Sequence, residues 1–274
     1  MNKTTYFDLF RYSLEIGFES ISRGIITLES IKRIVCPMDV SRYYELPVIA
    51  NNLRLKKGSK ILDISSPKLL TYYLANKFKK VNLYGIDKYM SELDSWKAII
   101  TSPKNLKIEY GDATKLQYPS NSFDEVFSIS VIEHLGNKVI RDDVKMMKEV
   151  YRVLKKGGRF YLTTIISNKK SIVYKNKRYY DKNINIGRKS FFCRIYDYQD
   201  IRKNILGSTK FRLIKEELCG YRYPSYEKLF NSTSPLSAIF MGWLNLVVLP
   251  VSIYVQPILI HIPKRAEYFC VLEK

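Results

Sequence analysis

Residues 106–135, LKIEYGDATKLQYPSNSFDEVFSISVIEHL, decide the fold, because they contain two short apolar runs that each end in polar side chains. The runs Leu106–Tyr110 and Asp124–Ile129 have the length and composition of β-strands. Helix-compatible or turn segments separate them from three similar runs, at Lys60–Ile64, Val81–Ile86 and Arg159–Ile166. Strands that alternate with helices predict an α/β fold with a parallel sheet and right-handed crossover connections.

The rest of the chain extends this pattern within one domain. Phe211–Gly220 and Glu267–Glu273 are predicted to be two further strands. The sheet would then have about seven strands, mostly parallel with an antiparallel last strand, and helices on both faces. We divide the chain into an N-terminal helical cover, residues 1–57, and a core, residues 58–274.

The N-terminal cover is predicted to be helical. Gly24 is expected to break or bend the first helix, and a further helix is predicted over Ser41–Leu53. Within residues 6–35, apolar side chains recur every three or four positions, which predicts one buried helical face. They are Phe7, Phe10, Leu14, Phe18, Ile21, Ile25 and Leu28.

The chain is strongly basic, with 46 Lys and Arg residues, 26 Asp and Glu residues and a formal net charge of +20. This charge favours polyanionic partners, although biased codon usage is an alternative cause. Much of it lies in and around a basic insertion, residues 167–195, since residues 155–215 hold 17 Lys or Arg residues and three Asp residues. The four cysteines are widely spaced, so we expect no metal site and a reducing, cytoplasmic location.

Acidic residues follow three successive predicted strands. Asp63, Asp87 and Asp112 come at the ends of the first, second and third strands. Ligands of open α/β sheets bind beyond the carboxyl ends of the strands, so we expect these side chains to face one cleft. A carboxylate at Asp87 can accept hydrogen bonds from ribose hydroxyls, and Asp112 can accept one from an exocyclic amine. The pattern predicts a nucleoside site; ordinary loop or N-cap aspartates are the alternative.

Four segments resemble the motifs of class I S-adenosylmethionine-dependent methyltransferases that act on small molecules. They are Gly111–Leu116, Tyr118–Val126, Ser128–Leu135 and Glu149–Arg159. The resemblance covers residues 40–166 and implies a seven-stranded Rossmann-like sheet with S-adenosylmethionine as cofactor. It also implies methyl transfer to a small or lipid-linked acceptor.

The same resemblance implies roles for individual residues. Asp87, with Lys88 beside it, is expected to hold the cofactor ribose. Asp112 and Ala113 are expected to hold the adenine. The end of the fourth strand, Ser128 and Ser130, is expected to contact the methionine portion.

The first motif departs from the family's pattern. Where similar proteins have a glycine-rich turn, this chain has Asp63-Ile64-Ser65-Ser66-Pro67-Lys68-Leu69, which contains no glycine. Glycine lets backbone approach a ligand closely and takes positive φ at no steric cost. We expect Asp63, Ser65 and Ser66 to form an altered cofactor turn, with Pro67 beginning the next helix. The alternative is a degenerate fold that no longer catalyses and serves as a membrane-associated binding or scaffold module.

His134 follows the fourth predicted strand and is the candidate base for a hydroxyl or amine acceptor. Loop packing is its alternative role. Arg42, Tyr43 and Tyr44 lie on the helix that covers the cofactor in similar proteins, so they are candidates for contact with cofactor or substrate; packing is the equal alternative. Methyl transfer from a sulfonium depends mainly on proximity and orientation, so no dedicated catalytic residue is required.

An apolar insertion, residues 229–263, contains no Asp, Glu, Lys or Arg. It is long enough to span a bilayer, but two prolines interrupt it, and its place between antiparallel strands requires both ends to return to the same side. We expect residues 234–263 to form a hairpin that attaches to an anionic membrane surface together with the basic residues 167–215. Core burial, a lid over the site and a homodimer contact are the alternatives.

Two other functions are disfavoured by the sequence. Residues 128–131, Ser-Ile-Ser-Val, occupy the place where an Asn-Pro-Pro-Tyr-like motif would indicate nucleic-acid methylation. A dinucleotide oxidoreductase is disfavoured because the first strand is not followed by Gly-x-Gly-x-x-Gly.

Overall fold

The computed structural model describes residues 3–66, 68–136, 141–175, 190–222, 235–257 and 262–274, and for residues 235–242 it describes the backbone only. The predicted role of Pro67 and parts of both predicted insertions lie outside the described residues.

The described residues form ten strands and eight α-helices. The strands are β1 Lys60–Ile64, β2 Asn82–Asp87, β3 Leu106–Tyr110, β4 Phe123–Ile129, β5 Leu154–Ile166, β6 Ser171–Lys175, β7 Ser190–Ile195, β8 Arg212–Tyr221, β9 Ile253–Gln256 and β10 Ala266–Glu273. The helices are α1 Tyr6–Ser22, α2 Leu28–Val35, α3 Arg42–Asn52, α4 Lys68–Lys77, α5 Met90–Ile99, α6 Asp142–Val153, α7 Tyr198–Asp200 and α8 Pro235–Ser252. A 3-10 turn, Ile132–His134, follows β4, and α7 continues through a π-helical turn, Ile201–Ile205.

Eight of the described strands form one sheet in the order β3-β2-β1-β4-β5-β10-β8-β9, and β6 pairs with β7 in a separate two-stranded sheet. β1 pairs in parallel with both β2 and β4, and β10 is antiparallel between β5 and β8. The predicted α/β fold class is confirmed. The predicted number of strands was one too low for this sheet, because β9, which pairs with β8, lies in a uniformly apolar stretch where periodicity cannot distinguish strand from helix.

Apolar side chains cover both faces of the sheet. Residues of α1, α3, α4 and α5, such as Tyr72 and Trp96, pack on one face. Residues of α6 and of the turns after α7, such as Met147 and Ile201, pack on the other. β1 and β4 are therefore buried on both sides, as expected for central parallel strands, and only their carboxyl ends are available to a ligand.

The predicted buried face of the N-terminal cover is wrong in part. The chain does break at Gly24, which has a φ of +76°, but Phe7, Phe18 and Leu28 are exposed. The buried face of α1 consists of Leu9, Phe10, Ser13, Ile16, Gly17 and Ser20. Small residues on this face allow α2 to approach, since a Cβ at Gly17 would lie 2.9 Å from the Ser30 carbonyl oxygen. Close helix packing thus overrides the larger apolar stripe.

The predicted apolar insertion contains α8 and β9. Within the described part of the chain, no helix is long and apolar enough to cross a membrane. α8 contacts α2, and Trp243 packs edge-on against Phe10 of α1 with ring centroids 5.3 Å apart. The described part of the insertion therefore packs beside the N-terminal cover.

Candidate functional site

A cavity of about 970 Å³ opens at the carboxyl ends of β1 to β4, beside the point where the strand order reverses. This is the position that ligands occupy in open α/β sheets. Nine of the predicted site residues line it, so the structure brings most of them together. They are Arg42, Ser65, Ser66, Asp87, Lys88, Asp112, Ala113, Ser130 and His134.

Two predicted cofactor residues lie behind the cavity wall. Asp63 is fully buried, and it accepts a hydrogen bond from the Thr71 hydroxyl. Ser128 is also fully buried, and its Oγ donates to the Ile64 carbonyl oxygen at 3.1 Å. Both side chains are occupied in holding β1 in place, so the structure gives them a supporting position rather than the predicted place on the wall.

The two predicted tyrosines of α3 also lie away from the cavity lining. Tyr43 is buried against Tyr6 of α1 with ring centroids 5.7 Å apart. The Tyr44 hydroxyl donates to Glu217 of β8 at 3.1 Å. Of the three α3 residues predicted to contact ligand, the structure places only Arg42 on the wall.

Side chains hold the turn after β1, where similar proteins have glycines. Ser65 has a left-handed φ of +52°, and its amide donates to the Ile86 carbonyl oxygen at 2.9 Å. The Ser66 amide donates to Asp63 at 3.0 Å, and Ser66 Oγ accepts from the Ile129 amide at 2.9 Å. These bonds tie the turn to β2 on one side and to β4 on the other.

Lys68 is the site residue that the sequence analysis missed. Its Nζ donates to Asp87 Oδ2 at 3.0 Å and to the Ser66 carbonyl oxygen at 2.9 Å, and it lines the cavity although it is buried. The other oxygen of Asp87, Oδ1, accepts from the Tyr89 amide at 2.9 Å. A signal was present: a lysine at the start of the helix after β1 can reach the acidic end of the neighbouring strand.

Asp112 forms the second lysine–aspartate pair on this wall. Its Oδ2 accepts from Lys88 Nζ at 3.0 Å, and its Oδ1 accepts from the Thr114 amide at 2.8 Å. Burial raises the pKa of Asp112, but hydrogen bonds from Thr114 and Lys88 outweigh burial, so its pKa lies below the usual value. Asp112 is therefore an ionised acceptor at neutral pH.

His134 lies in the 3-10 turn after β4. Its Nδ1 is 2.7 Å from the Phe192 carbonyl oxygen, and the Phe192 ring packs edge-on against the imidazole. Because a carbonyl oxygen only accepts hydrogen bonds, Nδ1 must carry the proton in this contact. Nε2 is then the basic nitrogen of the neutral imidazole.

Three buried glutamates lie in the layer behind Ser130. Glu45 accepts hydrogen bonds from Ser130 and Thr163. Among the described residues, Glu133 Oε1 and Glu267 Oε2 have no hydrogen-bond partner. Burial raises the pKa of Glu133, and burial together with the nearby charge of Glu45 raises the pKa of Glu267 well above its usual value.

The sheet order and the cleft at its switch point define the class I methyltransferase fold. Among solved structures, an S-adenosylmethionine-dependent methyltransferase from Methanosarcina mazei matches with a TM-score of 0.53 at 15% identity, covering 83% of this chain and 97% of that chain. The [4+2]-cyclase SpnF matches with a TM-score of 0.52 at 12% identity, covering 96% and 93%. These likenesses show the fold alone, and one fold can carry different chemistries.

Sequence comparison points to the same kind of domain. Residues 62–162 match the family model described as a methyltransferase domain, so this segment of the chain is similar to that family. Phosphoethanolamine N-methyltransferase 3 of Arabidopsis thaliana is 30% identical over 180 residues, which are 63% of this chain and 32% of that protein. Demethylmenaquinone methyltransferase of Staphylococcus epidermidis is 31% identical over 112 residues, 40% of this chain and 44% of that protein. The chain thus spans less than half the length of these two relatives.

Proposed function

We propose that the domain binds S-adenosylmethionine and directs transfer of its methyl group to a small acceptor. The observation that carries the proposal is the placement of Asp87 and Asp112 on one wall of a cavity at the switch point of the sheet. A carboxylate has about four lone-pair sites, so Asp87 keeps acceptor capacity beside its contacts with Lys68 and Tyr89. The relatives named above are methyltransferases, which supports the same reaction.

The proposed roles of the protein are binding and orientation. Bound S-adenosylmethionine supplies an electrophilic methyl group, and alignment of the acceptor with it accounts for most of the required catalysis. Asp87 would hold the ribose, Asp112 and Ala113 the adenine, and Ser130 the methionine portion, with Arg42 placed for the cofactor carboxylate or the acceptor. The cavity volume lies near the upper end of ligand pockets, about 300–1,000 Å³, which leaves room for an acceptor.

Calorimetry with S-adenosylhomocysteine tests cofactor binding. We expect Asp112→Ala to weaken binding by about tenfold, because an ionised acceptor of a ligand hydrogen bond is lost. Asp124→Ala is the matched control, since Asp124 is also a partly exposed aspartate paired with a lysine, Lys155 at 2.7 Å, but near the opposite end of the sheet. No binding by the unaltered protein would contradict the proposal and favour the scaffold alternative.

His134 is the proposed base for an acceptor that must lose a proton. Its Nδ1 contact with Phe192 directs the basic character to Nε2. We expect His134→Gln to bind S-adenosylhomocysteine within about twofold of the unaltered protein, but to transfer methyl groups about 10²–10⁴ times more slowly. Transfer is measured with radiolabelled cofactor and a panel of small amines and alcohols, and an unchanged rate with every acceptor methylated would exclude His134 as the base.

The finer proposal is that the domain works at an anionic membrane surface on a hydrophobic or lipid-linked acceptor. On α8, Trp243, Val247 and Val251 recur every fourth residue and are exposed, while Leu249 and Ser252 on the opposite side are buried. Apolar residues on one helix face together with surrounding basic charge are typical of interfacial attachment.

The location of α8 connects this face to the cavity. α8 contacts α2, and α2 contributes Lys32 and Arg33 to the cavity lining. Leu28, at the start of α2, is 89% exposed. A membrane surface in contact with the exposed apolar face of α8 would therefore be separated from the proposed reaction site by one helix, α2.

Sedimentation with vesicles of phosphatidylserine and phosphatidylcholine tests attachment. We expect the unaltered protein to pellet with the vesicles, and the double variant Val247→Glu/Val251→Glu to lose about tenfold in partitioning, because two apolar contacts become charged. Ile214→Glu is the control, since Ile214 is an exposed apolar residue of β8. Equal partitioning of the double variant and this control would refute attachment through α8, and a dimer that the double variant dissociates would favour the homodimer alternative.

A further inference from the structure

The ammonium group of Lys68 contacts Asp87, the proposed ribose acceptor, and the proposed cofactor contacts do not use it. Lys68 is the first residue of α4, and its side chain crosses from the turn after β1 to the end of β2. Only 1% of the side chain is exposed, yet Lys68 lines the cavity. The lysine is therefore part of the wall that a ligand would touch.

Among the described residues, the hydrogen bonds of Lys68 occupy two of its three donors. A lysine ammonium has three N–H donors and no acceptor. Two of them reach the Ser66 carbonyl oxygen at 2.9 Å and Asp87 Oδ2 at 3.0 Å. A buried ammonium N–H without a partner is unfavourable, so the third donor favours a ligand that brings an acceptor to this wall.

Asp87 offers the complementary groups. Its Oδ1 accepts from the Tyr89 amide at 2.9 Å and its Oδ2 accepts from Lys68. Each oxygen can accept one more hydrogen bond. The pair therefore presents one donor, on Lys68, next to acceptor positions on Asp87.

We infer that Lys68 and Asp87 bind the two vicinal hydroxyls of the cofactor ribose as a donor–acceptor pair. Asp87 accepts a hydrogen bond from one hydroxyl, and Lys68 donates one to the oxygen of the other. A carboxylate acting alone would require both hydroxyls to donate. The pair also fixes the turn after β1, because the same ammonium holds the Ser66 carbonyl oxygen, and so it connects ribose binding to the position of a turn that lacks glycine.

The inference rests on the proposed function, since it assumes that the ligand is an adenosyl compound. The structure also allows an opposite outcome, in which Lys68 occupies Asp87 and excludes the ribose. The two arrangements predict opposite changes in ligand affinity. Removal of the ammonium weakens ligand binding if Lys68 contacts the ribose, and strengthens it if Lys68 competes with the ribose for Asp87.

The test is a cycle of protein and ligand changes measured by calorimetry. The ligands are S-adenosylhomocysteine and its 2′-deoxy and 3′-deoxy analogues, and the proteins are the unaltered chain and Lys68→Met. We expect Lys68→Met to lose about tenfold in affinity for S-adenosylhomocysteine. For one of the two deoxy analogues we expect unaltered and variant protein to bind equally, because the hydroxyl that Lys68 contacts is then already absent.

Folding and function are separated by further measurements. Thermal unfolding establishes that Lys68→Met is folded, and Lys68→Gln serves as a second variant because its amide can still donate to Asp87. Equal losses for both deoxy analogues in unaltered and variant protein would overturn the inference while leaving cofactor binding intact. Tighter binding by Lys68→Met would overturn it in favour of competition. Absence of binding by all the proteins would overturn the proposed function and the inference together.

Discussion

Two lysine–aspartate pairs lie on the wall of one cavity and differ mainly in their exposure to water. In the first pair, Lys68 Nζ lies 3.0 Å from Asp87 Oδ2, and the two side chains are 1% and 7% exposed. In the second, Lys88 Nζ lies 3.0 Å from Asp112 Oδ2, and the side chains are 58% and 31% exposed. Solvent screens the exposed pair, whereas the buried pair has given up its hydration. Equal distances therefore correspond to different energetic roles: the buried pair must remain complete, and the exposed pair can exchange its partner for a ligand at small cost.

The largest expected effect comes from breaking the buried pair. Asp87→Ala should lower the free energy of unfolding by about 3–5 kcal/mol, because it leaves the Lys68 ammonium buried without its counter-charge. Urea unfolding measures the loss. The double variant Asp87→Ala/Lys68→Met should recover part of it, because the buried ammonium is removed as well, while the buried Asp63 loses the nearby charge of Lys68. A loss below about 1 kcal/mol for the single variant would show that the pair behaves as an exposed one.

Glu267 is a buried carboxylate with one oxygen, Oε2, that has no hydrogen-bond partner in the described part of the chain. Burial and the charge of Glu45 raise the pKa of Glu267, and the charges of Arg42 and Arg265 oppose them without prevailing. Between the ordinary glutamate pKa, about 4.3, and the raised one, the folded state holds a proton that the unfolded state has released. The free energy of unfolding therefore falls as pH rises through this range.

Glu267→Gln should remove that dependence on pH. We expect the variant to be more stable than the unaltered protein at about pH 8, by about 1–3 kcal/mol, and to lose the advantage as the pH approaches about 4, where the glutamate is protonated in both states. Thermal and urea unfolding across this range measure the difference. Parallel curves for the two proteins would show that Glu267 is not the group that titrates. Glu273→Gln is a control, because its pKa is lowered by Arg212 and Arg159.

The sequence predicted the elements that local pattern controls and missed those that tertiary contacts control. β1 and β3 have the predicted bounds, because each is a short run with apolar residues between turn or helix segments. The carboxylates at Asp87 and Asp112 were found because the topology of parallel sheets places strand ends together. The position of Lys68 at the start of the helix after β1 was a usable signal, but whether its side chain contacts Asp87 depends on how α4 leaves the turn. The exposed apolar face of α1 was missed because α2 packs on the smaller residues.

The turns beneath the two pairs also differ, which gives a smaller effect. Ser65, in the turn next to the buried pair, has a φ of +52°, whereas Gly111, which precedes Asp112 of the exposed pair, does not have a positive φ. A residue with a side chain in the left-handed conformation costs about 1–2 kcal/mol of folding free energy. Replacement by glycine removes this cost, but part of the benefit is lost because glycine gives up more conformational entropy on folding. Ser65→Gly should therefore stabilise the protein by up to about 1 kcal/mol in urea unfolding. Ser95→Gly, in the right-handed helix α5, should destabilise it by about 0.5–1 kcal/mol, and destabilisation by both changes would show that the side chain of Ser65 matters more than its backbone.

The smallest effect is expected at the exposed pair. Lys88→Ala should change the free energy of unfolding by about 0–1 kcal/mol near pH 7, because exposed ion pairs contribute little. Two conditions should abolish even this difference. Salt at about 1 M shortens the screening length to about 3 Å. Low pH acts on the protonation of Asp112, whose pKa is lowered in the folded state. The stability that this carboxylate contributes is present above its pKa in the unfolded state and is lost as the pH falls through its pKa in the folded state.

A loss that survives both treatments would show that Lys88 supports the fold through packing of its alkyl chain, as long cationic side chains can. In that case the exposed pair would resemble the buried pair in supporting the fold as well as in its N–O distance. Measuring S-adenosylhomocysteine binding by the same variant separates the two possibilities. If Asp112 exchanges Lys88 for a ligand, removal of the lysine should leave its carboxylate more available, and binding should be retained or strengthened. If the lysine orients Asp112, binding should weaken in parallel with stability.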